Sequence, residues 1–217
     1  MFKLGDWINR KRHNRGFGIQ SPSAFFFITQ VLKERHGYYA YEELDEIAGS
    51  LREMKKRNCR RLFRIANHFR PGNCITVASL TAACAISSAR SSAKHLLITE
   101  NREMPQAIAE YLAAHRCCHK SGSTLQLLEK HLAEESAKSL IFIGECENQS
   151  ALLETAIKHS NKECIIIVEG IYKDKEHQKH WQQAVASPKA TVTYDAYSFG
   201  IISFDSEKKK QNYKLKR

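Results

Sequence analysis

Cys164-Ile165-Ile166-Ile167-Val168-Glu169-Gly170 is the stretch that decides how the chain is read. Apolar, mostly β-branched residues follow one another without a period of two. Both faces of the strand they form are therefore buried, as in a parallel sheet covered by helices on each side. The acid and the glycine end the run at a turn. The same pattern recurs at 140–143, which is followed by Gly144-Glu145, and at 74–78, 95–99 and 116–119. Between these runs, segments 82–92, 105–114, 124–135, 150–160 and 175–186 have helical length and spacing. In the second of them Ile108, Tyr111 and Leu112 fall at i, i+3 and i+4. Five strands joined by helices predict a doubly wound α/β sheet of Rossmann-like type.

The end of the chain changes character. Residues 191–197 alternate, Ser198-Phe199-Gly200 interrupts, and 201–204 resume, which reads as an antiparallel hairpin. A further short strand at 213–216 follows the charged turn 205–210. Before residue 70 the pattern is helical, at 25–35, 42–57 and 60–69, with Ser21-Pro22-Ser23 as cap and first turn. The expected organisation is a helical extension, 1–70, packed on a Rossmann-like core, 71–217. Tyr38, Tyr39 and Tyr41, in the connector, either line a pocket or pack on the surface.

The longest apolar runs are far shorter than the roughly 20 residues a bilayer crossing needs. Lys3, Arg10, Lys11, Arg12 and Arg15 precede no apolar stretch of signal-peptide length, so the expected location is the cytoplasm. Seven cysteines show no repeated Cys-x-x-Cys spacing. The one cluster, His115 with Cys117, Cys118 and His119, places neighbours on opposite faces of a strand, so no metal is expected. A net charge of +11 permits an acidic partner such as RNA or a membrane surface without requiring one. The cations Arg52, Lys55, Lys56, Arg57, Arg60, Arg61 and Arg64 are equally readable as a solvated helix face, and Lys208, Lys209, Lys210, Lys214, Lys216 and Arg217 as a solubilising edge. No aromatic-basic recognition motif accompanies them.

Five parallel strands and a terminal hairpin, with Arg15-Gly16-Phe17-Gly18-Ile19-Gln20-Ser21-Pro22, the tyrosines at 38–41, Trp181, Val192-Thr193-Tyr194-Asp195, Phe199-Gly200-Ile201 and Tyr213-Lys214-Leu215-Lys216-Arg217, carry a resemblance over nearly the whole length. The chain resembles class I S-adenosylmethionine-dependent methyltransferases, in an O-methyltransferase-like branch of Bacteroidetes type. The resemblance implies S-adenosylmethionine as cofactor and methyl transfer to an unassigned small-molecule or macromolecular acceptor.

It also implies where the cofactor sits, and several positions depart from the family pattern. At the first strand the acidic residue aligns with Val77 and the turn glycines with Ser79 and Ala83, each adding a Cβ. Glu100, about 20 residues past the turn, stands where a carboxylate binds ribose hydroxyls; its plainer role is an acid at the start of the helix beginning near Pro105. The fourth strand carries Gly144 where the family places Asp, with Glu145 one residue later. After the fifth strand Glu169 is one acid where two are usual, and Gln20 replaces a His. The implied cofactor contacts are Ser79, Ala83, Glu100 and Glu145, with affinity weakened or lost. No general base is assigned, His177 and His180 reading as exposed helix residues. The two expectations are a methyltransferase-like enzyme and an inactive binding or scaffolding protein on the same fold.

Overall fold

The computed structural model describes residues 18–101, 103–134 and 138–215. The family-like residues Arg15, Gly16 and Phe17, the cations before them, Lys216 and Arg217 lie outside this set. Three helical segments come first: α1 (Pro22–Phe26), running into a π-helical turn (Phe27–Val31), then α2 (Tyr41–Leu51) and α3 (Lys56–Phe69). Then β1 (Asn73–Val77), α4 (Leu80–Ala89), β2 (Lys94–Thr99), α5 (Gln106–Ala114), β3 (Cys117–Ser121), α6 (Thr124–Glu134), β4 (Ser139–Ile143), α7 (Gln149–His159), β5 (Cys164–Glu169) and α8 (Lys175–Ala186) alternate. β6 (Val192–Asp195), β7 (Phe199–Ser203) and β8 (Gln211–Lys214) close the chain.

The strands form one sheet in the order β3-β2-β1-β4-β5-β7-β6-β8. β1 to β5 are parallel, β7 runs antiparallel to β5 and β6, and β8 lies parallel to β6. The order reverses between β1 and β4. In such a sheet ligands bind in the crevice outside the strand C-termini at that reversal.

Alternation of side chains across the strands builds two cores. Cys74, Leu97, Leu140, Phe142, Ile165 and Ile167 face α2 to α5. Ile75, Val77, Ile98, Ile141, Ile166 and Val168 face Leu128, Leu152, Ala156 and Trp181 on α6 to α8. Both faces of the parallel strands are covered, as the unbroken apolar runs require.

Three element boundaries differ from the sequence reading. The expected helix 42–57 is two helices, broken at Arg52, whose φ of 53° is left-handed and whose N–H still reaches Ala48 O at 3.1 Å. Leu44, Ile47, Leu51 and Met54 continue one helical stripe across the break, so the apolar spacing conceals it. The expected helix 25–35 begins at Pro22, with Ser21 Oγ accepting from Ala24 N, and stops at Val31. There the buried Arg64 guanidinium donates to Val31 O at 2.7 Å, Leu32 O at 3.0 Å and Tyr41 Oη at 3.0 Å, satisfying carbonyls that a longer helix would have used. Finally, Phe199-Gly200 belongs to β7 and does not interrupt it. A Cβ at Gly200 would overlap the Trp181 indole, so the glycine is a packing requirement within the strand.

Candidate functional site

The turn from β1 into α4 sits at the sheet's switch point. Ala78 adopts φ of 61°, the left-handed conformation that glycine takes without strain, while Ser79 is extended at φ of −144°. The residue the turn calls on to be glycine is thus Ala78, one before the Ser79 assigned from sequence. Ser79 is instead the N-cap of α4, its Oγ accepting from Ala82 N at 3.2 Å. Ala83 is buried in the first turns of α4.

A carboxylate occupies this helix N-terminus. Glu53, from the loop between α2 and α3, accepts at one oxygen from Ser79 Oγ (3.1 Å) and Thr81 N (2.9 Å). The negative charge lies where the helix dipole favours it. Glu53 falls within the helix expected at 42–57, so its place in this turn is not visible from the apolar spacing.

Glu100 follows β2. One of its oxygens accepts from both Thr124 N (3.2 Å) and Thr124 Oγ1 (2.8 Å), which holds the carboxyl below its ordinary pKa. It therefore caps α6, not the helix after Pro105. Asn148 Nδ2 donates to Thr124 Oγ1 at 2.9 Å and Cys146 Sγ to Asn148 Oδ1 at 3.3 Å, a chain that links the ends of β2 and β4.

At the end of β4, Gly144 donates its N–H to Val77 O at 2.9 Å. A Cβ there would come within 3.0 Å of Val77 O and 3.1 Å of Ala78 O. The absence of an Asp at this position has a steric cause, since the backbone is pressed onto the β1 turn. Glu145 bends outward to Lys173 Nζ at 2.9 Å. Gly170, at φ of 71°, makes room for it, as a Cβ would lie 2.6 Å from Glu145 Oε1. Gln149 Nε2 ties the two strand ends by donating to Gly144 O (2.8 Å) and Glu169 O (3.0 Å).

Glu169 is the least comfortable acid of the group. Burial, then repulsion from Glu145 and from Glu53, pushes its carboxyl up to about 8. It holds a proton near neutrality while Glu100 does not.

Beyond β5 the strand ends carry an aromatic pair that the sequence reading did not single out. Tyr172 Oη donates to the buried Asp195 at 2.5 Å, and its ring stacks on Tyr197 at 5.4 Å. Tyr197 is held at φ of 67° with its N–H on Asp195 Oδ1 at 3.0 Å. No sequence period marks this arrangement, because it depends on β6 lying two places from β5.

Other candidates from the sequence have structural roles. His177 bonds Asp174, the N-cap of α8, at 2.8 Å, and His180 lines a groove between α7 and α8. His119 Nε2 lies 2.8 Å from Thr99 Oγ1, and Gln20 is exposed. Tyr38 lines a cavity of about 580 Å³ with Phe26, Gln30, Glu34 and His68, away from the strand C-termini, while Tyr41 packs on Phe63. Among the described residues no three His, Cys, Asp or Glu side chains are grouped to hold a metal ion, and no helix is long and apolar enough to cross a membrane.

The fold is that of class I methyltransferases. An S-adenosylhomocysteine-bound methyltransferase from Podospora anserina matches over 87% of this chain and 97% of its own, at a TM-score of 0.57 and 12% identity. An S-adenosylhomocysteine complex of a Bacillus cereus O-methyltransferase matches over 81% and 94%, at 0.53 and 15%. A Staphylococcus aureus protein described as a caffeoyl-CoA O-methyltransferase matches over 76% and 92%, at 0.56 and 13%. At these identities the likeness is one of fold. No protein-family model and no curated protein matches the sequence.

Proposed function

We propose that the chain is an S-adenosylmethionine-dependent methyltransferase of the O-methyltransferase type. The observation that carries this reading is the charge of the cleft. In a chain of net charge +11, Glu53, Glu100, Glu145 and Glu169 stand at the C-terminal ends of β1, β2, β4 and β5. Carboxyl groups crowded into one cleft of a positive protein suit a cationic ligand, which draws Glu169 toward its ionised form. S-adenosylmethionine, with a sulfonium and an ammonium against one carboxylate, is such a nucleoside.

The residues fit this cofactor with one difference from the usual arrangement. Thr81 N and Ala82 N at the head of α4 already have acceptors, so the helix start does not receive the cofactor's carboxylate. Glu53 there takes its ammonium instead. Glu100, exposed and with one oxygen on Thr124, takes the ribose hydroxyls. Gly144, without a side chain, lets the end of β4 close onto the β1 turn beneath these groups.

When bound, S-adenosylmethionine supplies an electrophilic methyl carbon on positively charged sulfur. The chain supplies the proton acceptor. Glu169, which holds a proton near neutrality, gives it up as the cofactor's cation settles beside it, and the carboxylate so formed is placed to take the proton of an acceptor hydroxyl. Tyr172 and Tyr197, fixed by Asp195, border the adjoining strand ends and wall the acceptor side.

Calorimetry with S-adenosylmethionine and S-adenosylhomocysteine tests the reading. It expects binding of both, with the sulfonium compound tighter and its advantage reduced by salt. No binding of either at millimolar concentration contradicts it. The second reading, a cofactor-free binding protein, draws on the same contact of Glu53 with α4, which makes the helix start self-sufficient, and it expects that negative result.

A further inference from the structure

We propose that residues 52–57, the loop and first helical turn that carry Glu53, form a docking surface for the phosphate backbone of single-stranded RNA at the lip of the cleft. Arg52, Lys55, Lys56 and Arg57 are all exposed, and among the described residues none of them makes an ion pair. Several other cations among the described residues have partners. Arg60 forks onto Asp45, with Nε at 2.9 Å from Oδ1, and Arg64 is buried on carbonyls. Lys173 holds Glu145, Lys208 reaches Asp205 at 3.4 Å, and Lys210 donates to Ser187 O at 2.8 Å.

Three of the four cations also stand in the wrong place for the fold's own stability. Lys55 is the N-cap of α3 without a side-chain cap, Lys56 and Arg57 fill the first turn, and no acid accompanies them. Positive charge at the positive end of a helix dipole is unfavourable, and an external anion corrects it. Arg61 follows Arg57 by one helical turn, and its buried Nε makes no hydrogen bond among the described residues. Burial, with repulsion from Arg64 and Arg57, lowers its guanidinium to about 10. An anion beside this stripe relieves all of these groups together.

The lip is held rigidly. Met54 is buried, and Glu53 is bonded to the head of α4, so the cations flank the cleft at a fixed position. The carboxylates inside repel phosphate while the cations outside attract it. A polyanionic strand therefore lies along the lip and leaves an uncharged base or ribose to enter. A flat anionic membrane would press its charge against the cleft's own carboxylates. Phosphate oxygens also match the guanidinium forks of Arg52 and Arg57. The choice of RNA over other polyanions rests on the methyl-transfer reading, because a nucleotide offers both the phosphate and the acceptor.

The test is fluorescence anisotropy of a labelled single-stranded oligouridylate with the full chain, titrated with salt and without cofactor. Four phosphate contacts give a slope of log affinity on log salt of about −3. The variant Arg52→Gln, Lys55→Gln, Lys56→Gln, Arg57→Gln is expected to lose at least about tenfold in affinity at low salt and most of that slope. It should melt at the same temperature or higher, because cations have left the positive end of α3. The control Lys208→Gln, Lys209→Gln, Lys210→Gln should bind within about twofold of the parent. The proposal is overturned if the parent does not bind RNA at low salt, if the control loses as much as the lip variant, or if polyglutamate or phosphatidylserine vesicles bind as tightly as RNA. Calorimetry with S-adenosylmethionine on the same proteins separates the two readings. RNA binding without cofactor binding leaves the lip standing and removes methyl transfer; the reverse removes the lip alone.

Discussion

The two halves of the cleft treat their carboxylates in opposite ways. On the β1–β2 side each acid meets a helix start, Glu53 on α4 and Glu100 on α6, and receives N–H and hydroxyl donors. On the β4–β5 side Glu145 finds one lysine, and Glu169 finds burial and the charge of its neighbours. Two helix N-termini turn one pair into anchors of the fold. Lacking them, the other side keeps a carboxyl that exchanges its proton near neutrality, the property a general base needs. The difference arises from topology, since α4 and α6 begin beside the switch point while Glu169 ends a central strand.

The largest effect expected from this contrast is in the pH dependence of stability. Glu169 has a folded pKa raised above its ordinary value, so the unfolded chain ionises first. Stability then falls as pH rises from the ordinary carboxylate range through about 8 and levels off beyond it. Glu169→Gln should remove that fall and be more stable than the parent at alkaline pH, by up to a few kcal/mol, measured by urea unfolding. Glu100 has the opposite sign. Its depressed pKa contributes stability that is lost on acidification, so Glu100→Gln should flatten the acid limb alone. A variant pair that altered the same limb would break the comparison.

Next in size is Gly144→Ala. The new Cβ meets backbone oxygens of Val77 and Ala78, which cannot rotate away, so unfolding should show a loss of about 1–3 kcal/mol. Glu53→Ala, which removes two hydrogen bonds at the head of α4, is expected to cost about 1–2 kcal/mol and to weaken S-adenosylmethionine binding about tenfold. Its effect also reaches the other half, because Glu169 then loses one source of repulsion and its titration moves down. The smallest expected effect is Ala78→Gly. It relieves a left-handed alanine and should stabilise by about 0.5–1 kcal/mol in thermal unfolding.

Much of the architecture was legible in the sequence. The unbroken runs at 140–143 and 164–168 mark strands covered on both faces, and the boundaries of β4 and β5 fall within one residue of them. The hairpin was legible from the alternation at 191–197, except that Gly200 reads as a break when no partner is in view. Less of the site was legible. The alignment of the turn by residue type chose Ser79, whereas backbone conformation assigns the glycine-like position to Ala78. Glu53 was hidden because Leu51 and Met54 keep the helical stripe running past Arg52. Glu100 was placed at the right strand end, but its helix could be chosen only once β3 had brought α6 beside it. Tyr172 and Asp195 are 23 positions apart and meet only through the sheet order.

The central claim is that the cleft's carboxylates form one cation site with Glu169 as its titrating member. Calorimetry of S-adenosylmethionine binding at neutral pH, in two buffers of different ionisation enthalpy, measures the protons exchanged. A cation placed among these acids lowers the Glu169 pKa, so the parent should release a fraction of a proton on binding and Glu169→Gln should release none. Binding without proton exchange, or with uptake, would contradict the account.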